Sequence, residues 1–166
     1  MRFLVLAIGM MLAISAGATE YVASWSVDGE PISKLTGIQS NEIPIKADFV
    51  VKDSTVEGIA TVKLSDFKTG DETRDKHMRQ ALGTDEYPDA VLKLLPVQFG
   101  ATEFKWQGDL TLRGLTKPVW GIAAVKGQRL DAKFIIDLKE WRSVIEKPRR
   151  FGVGIADAVS VVVKTK

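Results

Sequence analysis

His77 is the only histidine of the chain, and it stands in Arg74-Asp75-Lys76-His77-Met78 within the densest run of alternating charge, residues 71–79. An imidazole that titrates near about pH 6.5 could move a proton at neutral pH. Arg74 and Asp75 could clamp a polar head group. All three could instead tie a helix to its scaffold, because charges that become buried need partners. The rest of the composition narrows the choice. With one histidine and no cysteine, an ordinary zinc site lacks ligands and there is no thiol nucleophile. A serine triad would have to use His77, and no Gly-x-Ser-x-Gly elbow is present. Gly152-Val153-Gly154 is too short for a dinucleotide fingerprint and follows no βαβ pattern. Asp85-Glu86 reads as solvated charge in a polar loop. Asp71 to Asp75 lacks the spacing of a calcium loop. These residues point away from an enzyme, with neither a metal nor a cofactor expected.

Residues 64–94 position this set. Thr69-Gly70-Asp71 supplies turn chemistry, and Asp71 can cap a helix by accepting backbone N–H bonds. Glu72 suits the positive end of the helix dipole. Met78, Ala81 and Leu82 recur at helical spacing and share one face. Gly83 stands where a left-handed C-terminal cap is expected. Pro88 disfavours helix at Tyr87, and from Ala90 the pattern is strand-like. A short helix therefore interrupts a chain that otherwise reads as β-structure.

At the start, Arg2 precedes an apolar run, residues 3–14, and then Ala16-Gly17-Ala18. This is the pattern of a secretory signal peptide over residues 1–18, cleaved after Ala18. The run is shorter than the roughly 20 apolar residues that span a bilayer. Residues 19–166 are then one domain, with 22 basic against 21 acidic residues. Both signs are interspersed, so no electrostatic footprint argues for nucleic acid. The one local basic cluster, Lys147-Pro148-Arg149-Arg150, reads as a solvated loop. Without disulfides, stability has to come from an ordinary core, and a domain of this size can build one.

The mature chain alternates apolar and polar residues again and again. Ile45, Ala47 and Phe49 share one face. So do Val56, Gly58, Ala60, Val62 and Leu64, and then Ala90, Leu92 and Leu94. Phe104, Trp106, Gly108, Leu110 and Leu112 form the cleanest set; Leu130, Ala132, Phe134, Ile136 and Leu138 follow, and Val159, Val161 and Val163 close the chain. Turn signals separate the runs at Lys52-Asp53-Ser54, Phe99-Gly100-Ala101, Arg113-Gly114 and Lys126-Gly127. The pattern predicts an all-β, antiparallel domain with a helical insertion and one apolar face. Closure into a barrel removes exposed edges, and about eight strands can enclose one small ligand. A closed sandwich with a solid core fits the alternation equally well.

The order Thr69-Gly70, Arg74-Asp75-x-His77-Met78, Tyr87-Pro88-x-Ala90, and Gly108-x-Leu110-Thr111-Leu112-x-Gly114-Leu115-Thr116-Lys117-Pro118-Val119, with a short strand after Asp157, resembles the YceI-like family of secreted, lipocalin-like proteins. The resemblance implies an extended antiparallel barrel of about eight strands with a helix packed over it. It implies a lumen that holds a polyisoprenoid, an isoprenoid quinone or a fatty-acid-like lipid. The chain departs from the family pattern in having Glu140-Trp141-Arg142 where a Phe-Gly pair is usual, and Ala156-Asp157 where Gly-Asp is common.

On pattern alone, Phe49, Phe104, Trp106, Phe134 and Trp141 fill a core. With the resemblance, the expected lumen is lined by Phe49, Val62, Leu92, Leu94, Phe104, Trp106, Leu110, Leu112, Phe134, Ile136 and Trp141. Arg74, Asp75, His77 and Met78 are then expected to support the mouth. The resulting expectation is a periplasmic or secreted carrier of a long apolar molecule, from a Gram-negative envelope. The alternative is a non-catalytic envelope stress or interaction module with a filled core, and an isoprenoid-modifying enzyme ranks last. Residues 159–163, read as an edge strand, could pair across a homodimer.

Overall fold

A computed structural model describes residues 20–29, 37–100, 103–126, 129–147 and 154–166. The expected signal peptide, most of the basic cluster at 147–150, and Gly152 and Val153 lie outside the described residues.

The strands are β1 (Tyr21–Gly29), β2 (Ile38–Gln39), β3 (Ile43–Lys52), β4 (Thr55–Lys63), β5 (Asp89–Gln98), β6 (Glu103–Leu112), β7 (Leu115–Lys126), β8 (Arg129–Asp137) and β9 (Ile155–Thr165). One helix, α1 (Glu72–Leu82), separates β4 from β5. β1 pairs antiparallel with β3, each of β3 to β8 pairs antiparallel with the next, and β9 returns to pair with β1 from Tyr21↔Thr165 to Gly29↔Ile155. Eight strands thus close an antiparallel barrel, and the two-residue β2 is an addition on β1. The alternation of the sequence is the cause. Each strand carries one apolar row, and closure turns all those rows inward without leaving an open edge. Residues 159–163 are therefore no edge strand. They pair with β1 on one side and β8 on the other, so their backbone groups are already used.

The meander sends alternate connections to opposite ends. The β3–β4, β5–β6 and β7–β8 links lie at one end. The β6–β7 turn, the β4–α1–β5 excursion and the β8–β9 connection lie at the other. Asp53 and Ser54 turn the first hairpin with φ of 49° and 64°, and Arg113 and Gly114 turn β6 into β7 with φ of 46° and 75°. Positive φ at both central residues gives the turn whose twist matches paired strands. Among the described residues no helix is long and apolar enough to cross a membrane.

Helix α1 forms where its caps direct. Asp71 Oδ1 accepts the Arg74 backbone N–H at 2.9 Å, and Gly83 ends the helix in the left-handed region at φ 64°. A side chain there would be strained, and its Cβ would meet Arg113 Nε at 3.0 Å. Arg113 Nη1 donates to the Ala81 carbonyl at 2.8 Å. The β6–β7 turn thereby satisfies one of the carbonyls left over at the helix C-terminus and fixes α1 to this end of the barrel.

Candidate functional site

Beneath α1 the barrel holds a cavity of about 220 Å³. Its walls come from nearly every element. Ala23, Trp25 and Val27 of β1, Ala60 and Val62 of β4, Ala90 and Leu92 of β5, and Leu110 and Leu112 of β6 face it. Phe134 and Ile136 of β8 and Val159, Val161 and Val163 of β9 complete the staves. The upper wall is Leu64, Phe67, Leu138 and Ile145, with Arg74, Met78, Ala81 and Leu82 of the helix. Trp25 and Phe67 meet edge to face with centroids 6.4 Å apart. Among the described residues, Arg74 and Lys147 are the only charged side chains in the lining. An apolar concavity of this kind binds by removing apolar surface from water.

The helix is seated by bonds that no local pattern announces. Asp75 is buried, 6% exposed, and its Oδ1 accepts from Thr69 N at 2.9 Å and Thr69 Oγ1 at 2.7 Å. Its partner is therefore a pair of neutral donors. Arg74 lies 3.9 Å from Asp71 Oδ2 instead, in an exposed pair. Just before the helix, Asn41 Nδ2 donates to Asp66 O at 3.2 Å, and Asn41 Oδ1 accepts from Lys68 N at 2.7 Å. These bonds pin the β4–α1 link to the start of β3. Arg74 and Met78, one turn apart, face the cavity together with Ala81 and Leu82. The same winding leaves His77 exposed on the solvent side, outside the cavity wall. His77 is therefore not placed to pass a proton into the cavity.

On the other side, Lys147 Nζ donates to Asp157 Oδ1 at 2.7 Å and to the Ile155 carbonyl at 2.9 Å. That hydrogen bond, first among the causes, holds the Asp157 carboxyl below the usual carboxylate range. Burial opposes it, and the charges of Lys147, Lys139 and Arg142 add to it.

Of the residues expected to line a lumen, Val62, Leu92, Leu110, Leu112, Phe134 and Ile136 do so. Phe49, Leu94, Phe104, Trp106 and Trp141 do not. Trp141 is 1% exposed, and its Nε1 donates to the Leu115 carbonyl at 2.9 Å, so it is a wall support. Phe49 packs edge to face on Tyr21, with centroids 6.5 Å apart; burial pushes the Tyr21 phenol up. Leu94 and Phe104 pack against the buried core. Trp106 is buried and meets Phe134 edge to face at 5.2 Å. Phe49, Leu94, Phe104 and Trp106 stand on the inward rows, as alternation required, but Leu94, Phe104 and Trp106 pack into the filled core, and Trp141 lies beyond the end of β8. Trp25, Phe67 and the β9 valines were missed as wall residues. The alternation of β9 already carried the signal for the valines.

A model of the YceI-like domain matches residues 19–166. The chain belongs to the YceI-like family. A curated relative, Protein YceI of Shigella flexneri, is 40% identical over 70 residues, which are 41% of this chain and 37% of the relative. The matched stretch thus spans little more than a third of that protein's length. Among solved structures, BcnA of Burkholderia cenocepacia superimposes with a TM-score of 0.62 at 14% identity, covering 87% of this chain and 94% of BcnA. A polyisoprenoid binding domain from Saccharophagus degradans superimposes with a TM-score of 0.61 at 10% identity, covering 89% of this chain and 97% of that one. At these identities the likeness establishes the shared YceI-like, lipocalin-like barrel.

Proposed function

We propose that this protein is a secreted or periplasmic carrier that binds a long apolar molecule in the cavity beneath α1 and catalyses nothing. The ligand classes are a polyisoprenoid, an isoprenoid quinone or a fatty-acid-like lipid. The observation that carries the proposal is the cavity wall. It is built from apolar side chains on seven strands of the closed barrel and on α1, with no paired polar groups arranged for chemistry among the described lining residues. Family membership and the polyisoprenoid binding of the Saccharophagus degradans domain support the same ligand class. The signal-peptide pattern of residues 1–18 supports export.

The energetics suit a carrier. Burying roughly 400 Å² of apolar ligand surface gains on the order of 10 kcal/mol at about 25 cal/mol per Å². Association and ordering remove about 4 kcal/mol or more. The remainder, about 6 kcal/mol at most, corresponds to reversible binding of tens of micromolar or weaker.

Mass spectrometry of organic extracts of the purified protein tests the proposal. A stoichiometric co-purified lipid is expected; a clean extract, with no binding of added lipid, points to an interaction module. Export predicts a mature N-terminus at Thr19 in the envelope fraction. N-terminal sequencing checks it, and a retained Met1 contradicts it.

A further inference from the structure

The inward rows show where the cavity ends. On β6, Leu112 and Leu110 line it, Gly108 does not, and Trp106 fills the barrel below. On β8, Phe134 lines it and Ala132 does not; on β5, Leu92 lines it and Leu94 does not. The boundary falls at the Trp106–Phe134 pair. The ladder Trp106↔Gly121↔Phe134 puts both rings beside the same glycine. A Cβ on Gly121 would come within 2.4 Å of Trp106 Cζ2. The missing side chain on β7 is therefore the space that the indole occupies. Phe104, buried Ala123 and buried Ala132 lie one row further on, so the ring is backed on the side away from the cavity.

We infer that Trp106, packed behind the Phe134 ring, closes off a blind pocket and sets how much of an apolar chain can enter. This rests on the carrier reading above. The chain goes in through the helix-covered end, and its leading tip stops at Phe134 with Trp106 behind it. A cavity of about 220 Å³ lies below the roughly 300–1,000 Å³ of sites that engulf a drug-sized ligand. Only one segment of a long chain is enclosed, and the remainder stays under α1 or outside. Trp106 is a specificity-determining residue for chain length.

The test is affinity against chain length, using a homologous series of saturated fatty acids that displace a fluorescent fatty-acid probe. Each buried methylene tightens binding about fourfold, so affinity climbs with length and then levels off once the tip meets the floor. In Trp106→Leu the levelling point moves to longer chains. Trp106→Phe keeps an aromatic floor and holds the point near its original place. Urea unfolding of each variant accompanies the titration. A lower urea midpoint with the levelling point unmoved makes Trp106 a core residue only and overturns the inference. So does a steady climb with no levelling in the unmutated protein. If no member of the series displaces or binds, the carrier reading itself has failed, which is a distinct result.

Discussion

At the helix-covered end, Phe134, Leu110 and Leu92 face an open cavity. A few residues along the same strands, Trp106, Phe104 and Leu94 pack into a filled interior. Both ends are written in the same alternation, and both are closed by the same antiparallel ladder. Two things separate them. At the filled end large aromatic side chains sit opposite glycine or alanine, as Trp106 does Gly121 and Phe104 does Ala123, and close packing results. At the open end the barrel is roofed by α1, held by Thr69, Asn41 and Arg113. A barrel domain can thus build a core and a binding cavity from one pattern, by varying side-chain volume along the strands.

Three substitutions sharpen that contrast. Trp141 belongs to the open end by position and to the filled interior by packing. Trp141→Ala should cost about 3–5 kcal/mol, the usual range for a buried aromatic, and leave the probe affinity of the folded fraction unchanged. Urea unfolding alongside probe titration reads it; intact stability with lost binding would make Trp141 a ligand contact after all. Asp75→Ala should cost less, about 1–3 kcal/mol, because it strands the Thr69 N–H and hydroxyl and no charge. Thermal denaturation measures it. An unchanged midpoint with binding abolished would mean that Asp75 touches the ligand.

Asp157→Asn should have the smallest effect, and it depends on pH. The Asp157 carboxyl sits below its ordinary value because of Lys147. Its contribution is therefore present above the unfolded carboxylate pKa of about 3.9 and fades as pH falls through the depressed folded value. Urea midpoints of the two proteins should differ slightly at neutral pH and converge in acid. A gap that widens in acid has the wrong sign.

Much of the fold was legible. The Asp71 and Gly83 caps, the turns at Asp53-Ser54 and Arg113-Gly114, and the inward rows are all local or periodic signals, and each stands where the pattern put it. The depth of each residue along the barrel was not legible. Strands in a barrel tilt against its axis by roughly 35–45°, so a hydrogen-bonded row climbs as it goes round. The row Phe104–Ala123–Ala132–Val163–Ala23 begins in the filled end and finishes on the cavity wall. Alternation tells which side of a strand faces inward and nothing of that climb. Hence Phe49 and Phe104 were placed with Leu110 and Ile136. The seat of α1 was hidden for another reason. Arg113 reaches Ala81 across 32 residues, and Asn41 reaches Lys68 across 27. His77, though unique in the sequence, is exposed, because rarity of a residue type says nothing about which way a helix turns.

The central claim is that apolar ligand occupies the open end and nothing occupies the filled one. Putting the same indole into each end tests it directly, with Ala60→Trp on the cavity wall and Ala132→Trp just below the floor. A fluorescent fatty-acid or isoprenoid probe is titrated against both variants and the parent, alongside urea unfolding. Ala60→Trp should lose probe binding by about tenfold or more, equal to some 1.4 kcal/mol, with its unfolding midpoint little changed. Ala132→Trp should lose about 1–3 kcal/mol of stability through overpacking and keep its probe affinity while folded. The reverse assignment, or a parent protein that binds no probe, would contradict the account.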